Sequence, residues 1–159
     1  VSKSNAIRLL ERAGVAFRTR AYEVDENALD AVSVARSVGV DPDRVFKTLV
    51  AVSDDGEHFV FCLPGTAELD LKKAAGAAGV KRIALIRQRD LLPLTGYIHG
   101  GCSPLGMKKG FPTWIDDSSE LFETICVSGG ARGLQIEIAP SDLANLIPCQ
   151  AADLIWIRA

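Results

Sequence analysis

Lys47-Thr-Leu-Val-Ala-Val-Ser-Asp-Asp-Gly-Glu-His-Phe-Val-Phe-Cys-Leu63 contains two β-rich runs around Asp54-Asp-Gly56. Asp-Gly between such runs is a strong short-range hairpin signal, because its residues tolerate the positive φ that a tight turn needs. The spacing predicts one strand over Lys47–Val52 and an antiparallel return over Phe59–Leu63.

Upstream, Ser4 is placed to cap a helix carrying Ala6, Leu9, Leu10 and Ala13, with Gly14 as its stop. Val15 to Val24 alternates as a strand, with Val15, Phe17, Thr19 and Ala21 on one face. A second helix starts at about Asp30, with Ala31, Val34, Ala35 and Val38 on one side and Gly39 past its end. Asp41-Pro42 opens a short third helix. Downstream, Leu69–Ala78 reads as a helix and Ile83–Ile86 as a short strand. A helical turn at Arg89–Leu92 is limited by Pro93. Thr113–Ile115, Ile125–Val127 and Leu134–Ile138 read as strands, with a turn at Gly129-Gly130. Ser141-Asp142 caps a closing helix with Leu143, Leu146 and Ile147. Strict βαβ alternation is missing. The expected class is α+β (mixed α/β): a single domain, 1–159, with a mixed, mostly antiparallel, barrel-like sheet flanked by helices.

Bulk composition narrows the functional classes. The 159 residues are 48% hydrophobic and 24% charged, which fits a soluble globular domain. Apolar runs such as Phe59–Leu63 fall far short of the ~20 residues of a membrane helix. Val1-Ser-Lys-Ser-Asn-Ala has no apolar signal region, so a cytoplasmic location and no membrane partner are expected. Cys62, Cys102, Cys126 and Cys149 form no C-x-x-C pair, and the chain has only two histidines, which argues against zinc. Cys62 and Cys126 read as buried hydrophobes, and Cys102 as a gap-filling thiol rather than a reactive one.

The net charge is −2, but it is unevenly spread. Between Gly65 and Ile115 there are eight Lys/Arg against three Asp/Glu, while the remainder of the chain is acidic. Within this basic half, Thr95–Lys109 is glycine-rich and ends in Lys108-Lys109. A backbone-lined pocket beside positive charge is the natural reading. A solvated lysine face explains the charge equally simply. Familiar nucleotide and nucleophile motifs fail. Gly101-x-x-x-x-Gly106 is followed by Met107-Lys108 where a P-loop needs Lys-Ser/Thr. Ser103 lacks the G-x-S-x-G elbow. His58 follows a hairpin turn and is expected in solvent. His99 is either a general base in the glycine loop or a solvent contact.

Several segments recur in a fixed order: Tyr22-Glu23, Val45–Val50, Glu68–Lys73, Leu94–Tyr97, Gly100–Lys109, Pro112–Asp116 and Val127-Ser-Gly-Gly-x-Arg-Gly-Leu134. In these the chain resembles the YbaK/EbsC-type aminoacyl-tRNA deacylases, most closely the Cys-tRNA(Pro) deacylase branch. The same domain type occurs as an editing insert of prolyl-tRNA synthetases. The resemblance implies hydrolysis of the ester joining a wrong amino acid to proline tRNA, with mischarged tRNA(Pro) and prolyl-tRNA synthetase as partners and without cofactor or metal. It places the family's key lysine on Lys47, with Thr48 beside it. The substrate-facing glycines fall on Gly100 and Gly101, the pocket tyrosine on Tyr22 and the pocket serine on Ser128. His99 joins the substrate-binding set. Where the family often carries Asp, this chain has Gln135, which keeps hydrogen-bonding capacity and loses a charge. The resemblance also implies attack by the substrate's own thiol. The competing readings are a deacylase for another small amino acid such as Ala, a noncatalytic tRNA- or synthetase-binding module, and a nucleotide-binding regulator.

Overall fold

A computed structural model describes residues 3–156. The expected hairpin is its centre: β2 (Phe46–Ser53) and β3 (His58–Pro64) pair antiparallel from Phe46↔Pro64 to Val52↔His58. Gly56 takes φ +84° in the turn, a conformation that β-carbon sterics deny most residues. β5 (Ile83–Leu85) adds antiparallel to β2. β6 (Thr113–Asp116) adds parallel to β3, and β9 (Cys149–Ala152) parallel to β6. The order is therefore β5-β2-β3-β6-β9. A second, antiparallel sheet runs β1 (Arg18–Ala21), β8 (Leu134–Ile138), β7 (Ile125–Ser128). β4 (Glu68–Leu69) and β10 (Ile155–Trp156) form a small pair. A single parallel bridge, Val45↔Cys126, ties the two larger sheets, which otherwise remain open. The architecture is α+β with mostly antiparallel strands, and the barrel-like expectation becomes separate sheets joined at one point.

Strand alternation sorts the core into two sides. Phe46, Val50, Val60 and Cys62 face a large cluster with Leu10, Ile125, Val127, Ile136 and Ile138. Ala51, Phe59, Phe61 and Leu63 face a smaller cluster with Ala74, Ala75 and Leu154. β3 is thus covered on both faces, which explains why Phe59–Leu63 is continuously apolar rather than alternating.

The helices follow their caps. Ser4 Oγ accepts from Ile7 N–H at the start of α1 (Asn5–Ala13), and Gly14 ends it at φ +68°. Asp30 accepts from Ser33 N–H at the start of α2 (Ala31–Val38). Pro42–Arg44 is a 3₁₀ turn behind Asp41. Asp70 caps α3 (Leu71–Ala78), two residues later than the pattern indicates, because Glu68–Leu69 are held by β10.

Four other expectations change. The strand predicted over Val15–Val24 is only Arg18–Ala21, the part that β8 pairs. Pro93 lies inside α4 (Gln88–Thr95) instead of limiting it. The helix survives the lost N–H because Gly96 N–H bonds Leu92 O and Thr95 Oγ1 bonds Leu91 O just beyond it. α5 (Pro140–Leu146) starts from Ala139 with Pro140 at its first turn, not from a Ser141-Asp142 cap. The chain then continues into β9 and β10 rather than closing on that helix. His58 is half-buried, its ring 5.7 Å from that of Phe111, and not free in solvent. The N-terminal reading at Val1-Ser2 lies outside the described residues. Among the described residues no helix is long and apolar enough to cross a membrane.

Candidate functional site

The site follows from an unfinished ladder. β5 pairs β2 only over Ala51–Ser53, and the last contact is Ile86 N–H to Val50 O at 3.1 Å. In an antiparallel strand every second residue points its backbone groups to the same side. Thr48 therefore aims its N–H and C=O toward the edge that β5 has left. On that edge the single bridge at Val45↔Cys126 marks where β7 also diverges. A cavity of about 520 Å3 lies along this open edge. Its far wall carries Ser128 and Gln135 from β7 and β8, and the glycine loop supplies His99, Gly100 and Cys102. The start of α2 and the Arg87-Gln88 start of α4 complete the rim.

Lys47, Thr48, Ser128, Gln135, His99 and Gly100 are therefore brought to one cavity from distant parts of the chain. Lys47 Nζ donates to Ala67 O at 2.6 Å. Partial burial pushes the Lys47 pKa below the ordinary lysine value, and the nearby Glu68 carboxylate opposes that shift. The ammonium is thus pinned to the turn between β3 and β4. Thr48 Oγ1 sits 3.8 Å from Cys62 Sγ. Ser128 Oγ accepts from Gly130 N–H at 3.1 Å. Gln135 is buried, and its Oε1 has no hydrogen-bond partner among the described residues. An unpaired buried amide oxygen costs roughly 1–3 kcal/mol, so this wall is poised for a donor supplied from outside.

Two of the expected residues stand outside the cavity lining. Tyr22 follows β1, with its N–H on Gly133 O at 2.9 Å. Gly101 N–H is spent on Ile98 O at 3.0 Å. A β-carbon on Gly101 would lie 3.1 Å from the Ala131 backbone, so this glycine serves close loop packing. Gly100 differs: it lines the cavity at φ +84°, and its N–H carries no hydrogen bond among the described residues. The ring of His99 is exposed at the rim, and its backbone carbonyl accepts from Arg132 Nε at 2.9 Å.

The positive charge comes from a different place than the glycine loop indicates. Lys108 and Lys109 do not line the cavity, and Lys108 packs its stem against Gly96. Arg87 lines it instead. Lys73 and Arg82 are occupied in surface pairs with Asp153 and Asp54. Cys102 is buried, and that burial pushes its thiol up to about 12, against a weaker opposing hydrogen bond from Thr95. It is protonated at neutral pH and therefore a poor nucleophile.

Sequence reasoning missed Gly65. A β-carbon there would fall 1.8 Å from Ala31 Cβ, so only glycine lets the start of α2 close over the cavity. Pro64-Gly65 signals a turn, but nothing local signals the contact with α2. Arg87 was visible only as one of many basic residues.

The aminoacyl-tRNA editing domain model matches residues 25–146, a span that contains every residue of this cavity. The chain belongs to this family. The editing domain is 43% identical over 152 residues to EbsC of Enterococcus faecalis, proposed to be a Cys-tRNA(Pro)/Cys-tRNA(Cys) deacylase. That alignment covers 96% of this chain and 93% of EbsC. A 77-residue stretch is 35% identical to the proline–tRNA ligase of Pelobacter propionicus, covering 48% of this chain and 13% of the ligase. The editing domain also superimposes on the crystal structure of a proposed trans-editing enzyme for prolyl-tRNA synthetase. There the TM-score is 0.85 and the identity 25%, over 99% of this chain and 100% of that one.

Proposed function

We propose that this editing domain hydrolyses mischarged tRNA in trans, that its substrate is Cys-tRNA(Pro), and that it works as one domain alongside prolyl-tRNA synthetase. The observation that carries the reading is a cavity at an open strand edge whose one cysteine among the lining residues, Cys102, is buried, which holds its thiol above the ordinary range. Such a site offers positioning and hydrogen bonds rather than a protein nucleophile. Kinship with EbsC supports cysteine as the amino acid removed.

In this reading the substrate thiol, of ordinary pKa ~8.5, supplies the nucleophile. Its sulfur attacks the ester carbonyl and forms a tetrahedral oxyanion. The C–O bond to the terminal ribose then breaks, and the thiol proton ends on the departing ribose oxygen. The resulting cyclic thiolactone is opened by water to free cysteine. Gly100 N–H, without a protein partner, is the donor for the oxyanion. Gly101 shapes the loop that presents it. Lys47 holds a phosphate or the ribose of the terminal adenosine, while Thr48 and Ser128 contact the same end. Gln135 Oε1 accepts from the amino acid's ammonium group, and Tyr22 and His99 border the entrance.

Release of amino acid from Cys-, Ala- and Ser-tRNA(Pro) tests the reading. Cysteine is expected to be released fastest, with a transient thiolactone, and alanine and serine slowly. A serine hydroxyl fits the same space but is far less ionised. Shape alone separates such small groups by only about 1–3 kcal/mol. Equal release of alanine and cysteine contradicts substrate-thiol attack and points to a water held by His99. No release of any of the three contradicts deacylation.

A further inference from the structure

A second cavity, of about 450 Å3, adjoins the first across the junction between β5 and α4. Leu85, Ile86 and Arg87 line both. Its volume is within the ~300–1,000 Å3 range of small-molecule sites. The half-buried His58 ring, Pro93 and Leu94 form further parts of its wall. Leu85 leaves 49% of its surface uncovered at the shared ridge. Asp90 is the only acid among its lining residues. The side chains of Arg87 and Asp90 are exposed and make no hydrogen bond or ion pair among the described residues.

These groups match one kind of ligand. A ring beside apolar side chains gives a base a surface to stack on. A carboxylate accepts from the exocyclic amine of cytosine, whereas the corresponding position of a uracil ring is itself an acceptor. A guanidinium pairs with phosphate oxygens. Asp90 repels phosphate, so the charges set a direction: base toward Asp90, phosphate at Arg87. The ridge that carries Arg87 is also the border with the first cavity. We propose that the second cavity holds the nucleotide immediately 5′ of the terminal adenosine, a cytidine, with the connecting phosphate on Arg87. The inference rests on the first cavity being the seat of the aminoacyl-adenosine, and it adds that the site reads a dinucleotide.

The test is binding of unreactive probes to the intact chain, followed by NMR: adenosine monophosphate, CpA and UpA. CpA is expected to shift resonances of His58 and Leu94 that adenosine monophosphate leaves unmoved. It is expected to bind about 10-fold more tightly than UpA, the low end of base discrimination by a directed hydrogen bond. Asp90→Asn is expected to remove the preference for CpA over UpA. Leu94→Trp, which fills the cavity, is expected to bring CpA down to the affinity of adenosine monophosphate, with that of the mononucleotide unchanged. Identical shifts from CpA and adenosine monophosphate, or equal affinity of wild type for CpA and UpA, overturn the proposal. The parent reading fails separately. If CpA fills the second cavity but no mischarged tRNA is deacylated, the function falls and the dinucleotide site stands. If deacylation proceeds and CpA leaves His58 and Leu94 unmoved, only this inference falls.

Discussion

The two halves of β2 are built for different purposes. Over Ala51–Ser53 the strand is paired on both sides, by β3 and by β5. Over Phe46–Val50 it keeps β3 and has no ladder to β5. The closed half contributes Ala51 to the smaller dry cluster, opposite Phe59. The open half lines the cavity with Lys47 and Thr48. One strand thus provides rigidity at one end and unpaired backbone at the other. The rigid end fixes where the open end sits, which is what a site that works by positioning would require.

The sharpest way to break this contrast is to damage each half in turn. Phe59, opposite Ala51, is buried, and its ring lies tilted 5.8 Å from that of Trp114. Phe59→Ala should cost about 3–5 kcal/mol in urea unfolding, as for other buried aromatics. Turnover per folded molecule should stay at the wild-type level. A loss of turnover in fully folded protein would mean that the dry cluster shapes the cavity directly.

Gly65→Ala should cost less, about 1–3 kcal/mol, as overpacking does. It should nevertheless strike turnover harder, because the new methyl group displaces α2 from the cavity rim. Ala31→Gly in the same chain removes the clashing atom and should restore much of the activity. No recovery in the double variant would locate the damage elsewhere.

The pH profile gives a smaller, graded effect. The charged form of Lys47 is the low-pH form, and burial lowers its pKa from the ordinary value of 10.5. Activity that needs the ammonium should therefore decline on the alkaline side earlier than an exposed lysine would dictate. Lys47→Arg, which stays charged throughout that range, should move the decline to higher pH if it retains activity. An alkaline limb that remains in place with arginine would assign it to another group. The smallest effect is expected at Cys102→Ser, since a thiol pushed up to about 12 contributes no thiolate at neutral pH. Turnover should be nearly unchanged, and its complete loss would make Cys102 the nucleophile.

The elements legible in the sequence are those set by local chemistry. The Asp54-Asp-Gly56 turn, the Ser4 and Asp30 caps and the Gly14 and Gly39 stops fixed one hairpin and two helices. β4, β9 and β10 were illegible because they exist only through pairing with distant segments. Cys149-Gln-Ala-Ala152 has little strand preference of its own and becomes a strand against β6. At the site, six residues chosen by resemblance converge on one cavity, although they come from β2, β7, β8 and the glycine loop. The contact of Gly65 with Ala31 and the place of Arg87 between two cavities depend on packing across elements, so no local pattern carries them. Tyr22 and Gly101 show the converse: a motif position next to a site need not line it.

The central claim is that the cavity along the open half of β2 is where the ester is cleaved. Cysteine release from Cys-tRNA(Pro) by wild type and by Lys47→Ala, at matched folded concentration, tests it most directly. Wild type should release cysteine, and the variant should lose at least about 100-fold in turnover, the scale of removing one positioned group that acts in the transition state, with an unchanged circular dichroism spectrum. Wild-type turnover in folded Lys47→Ala would contradict the account.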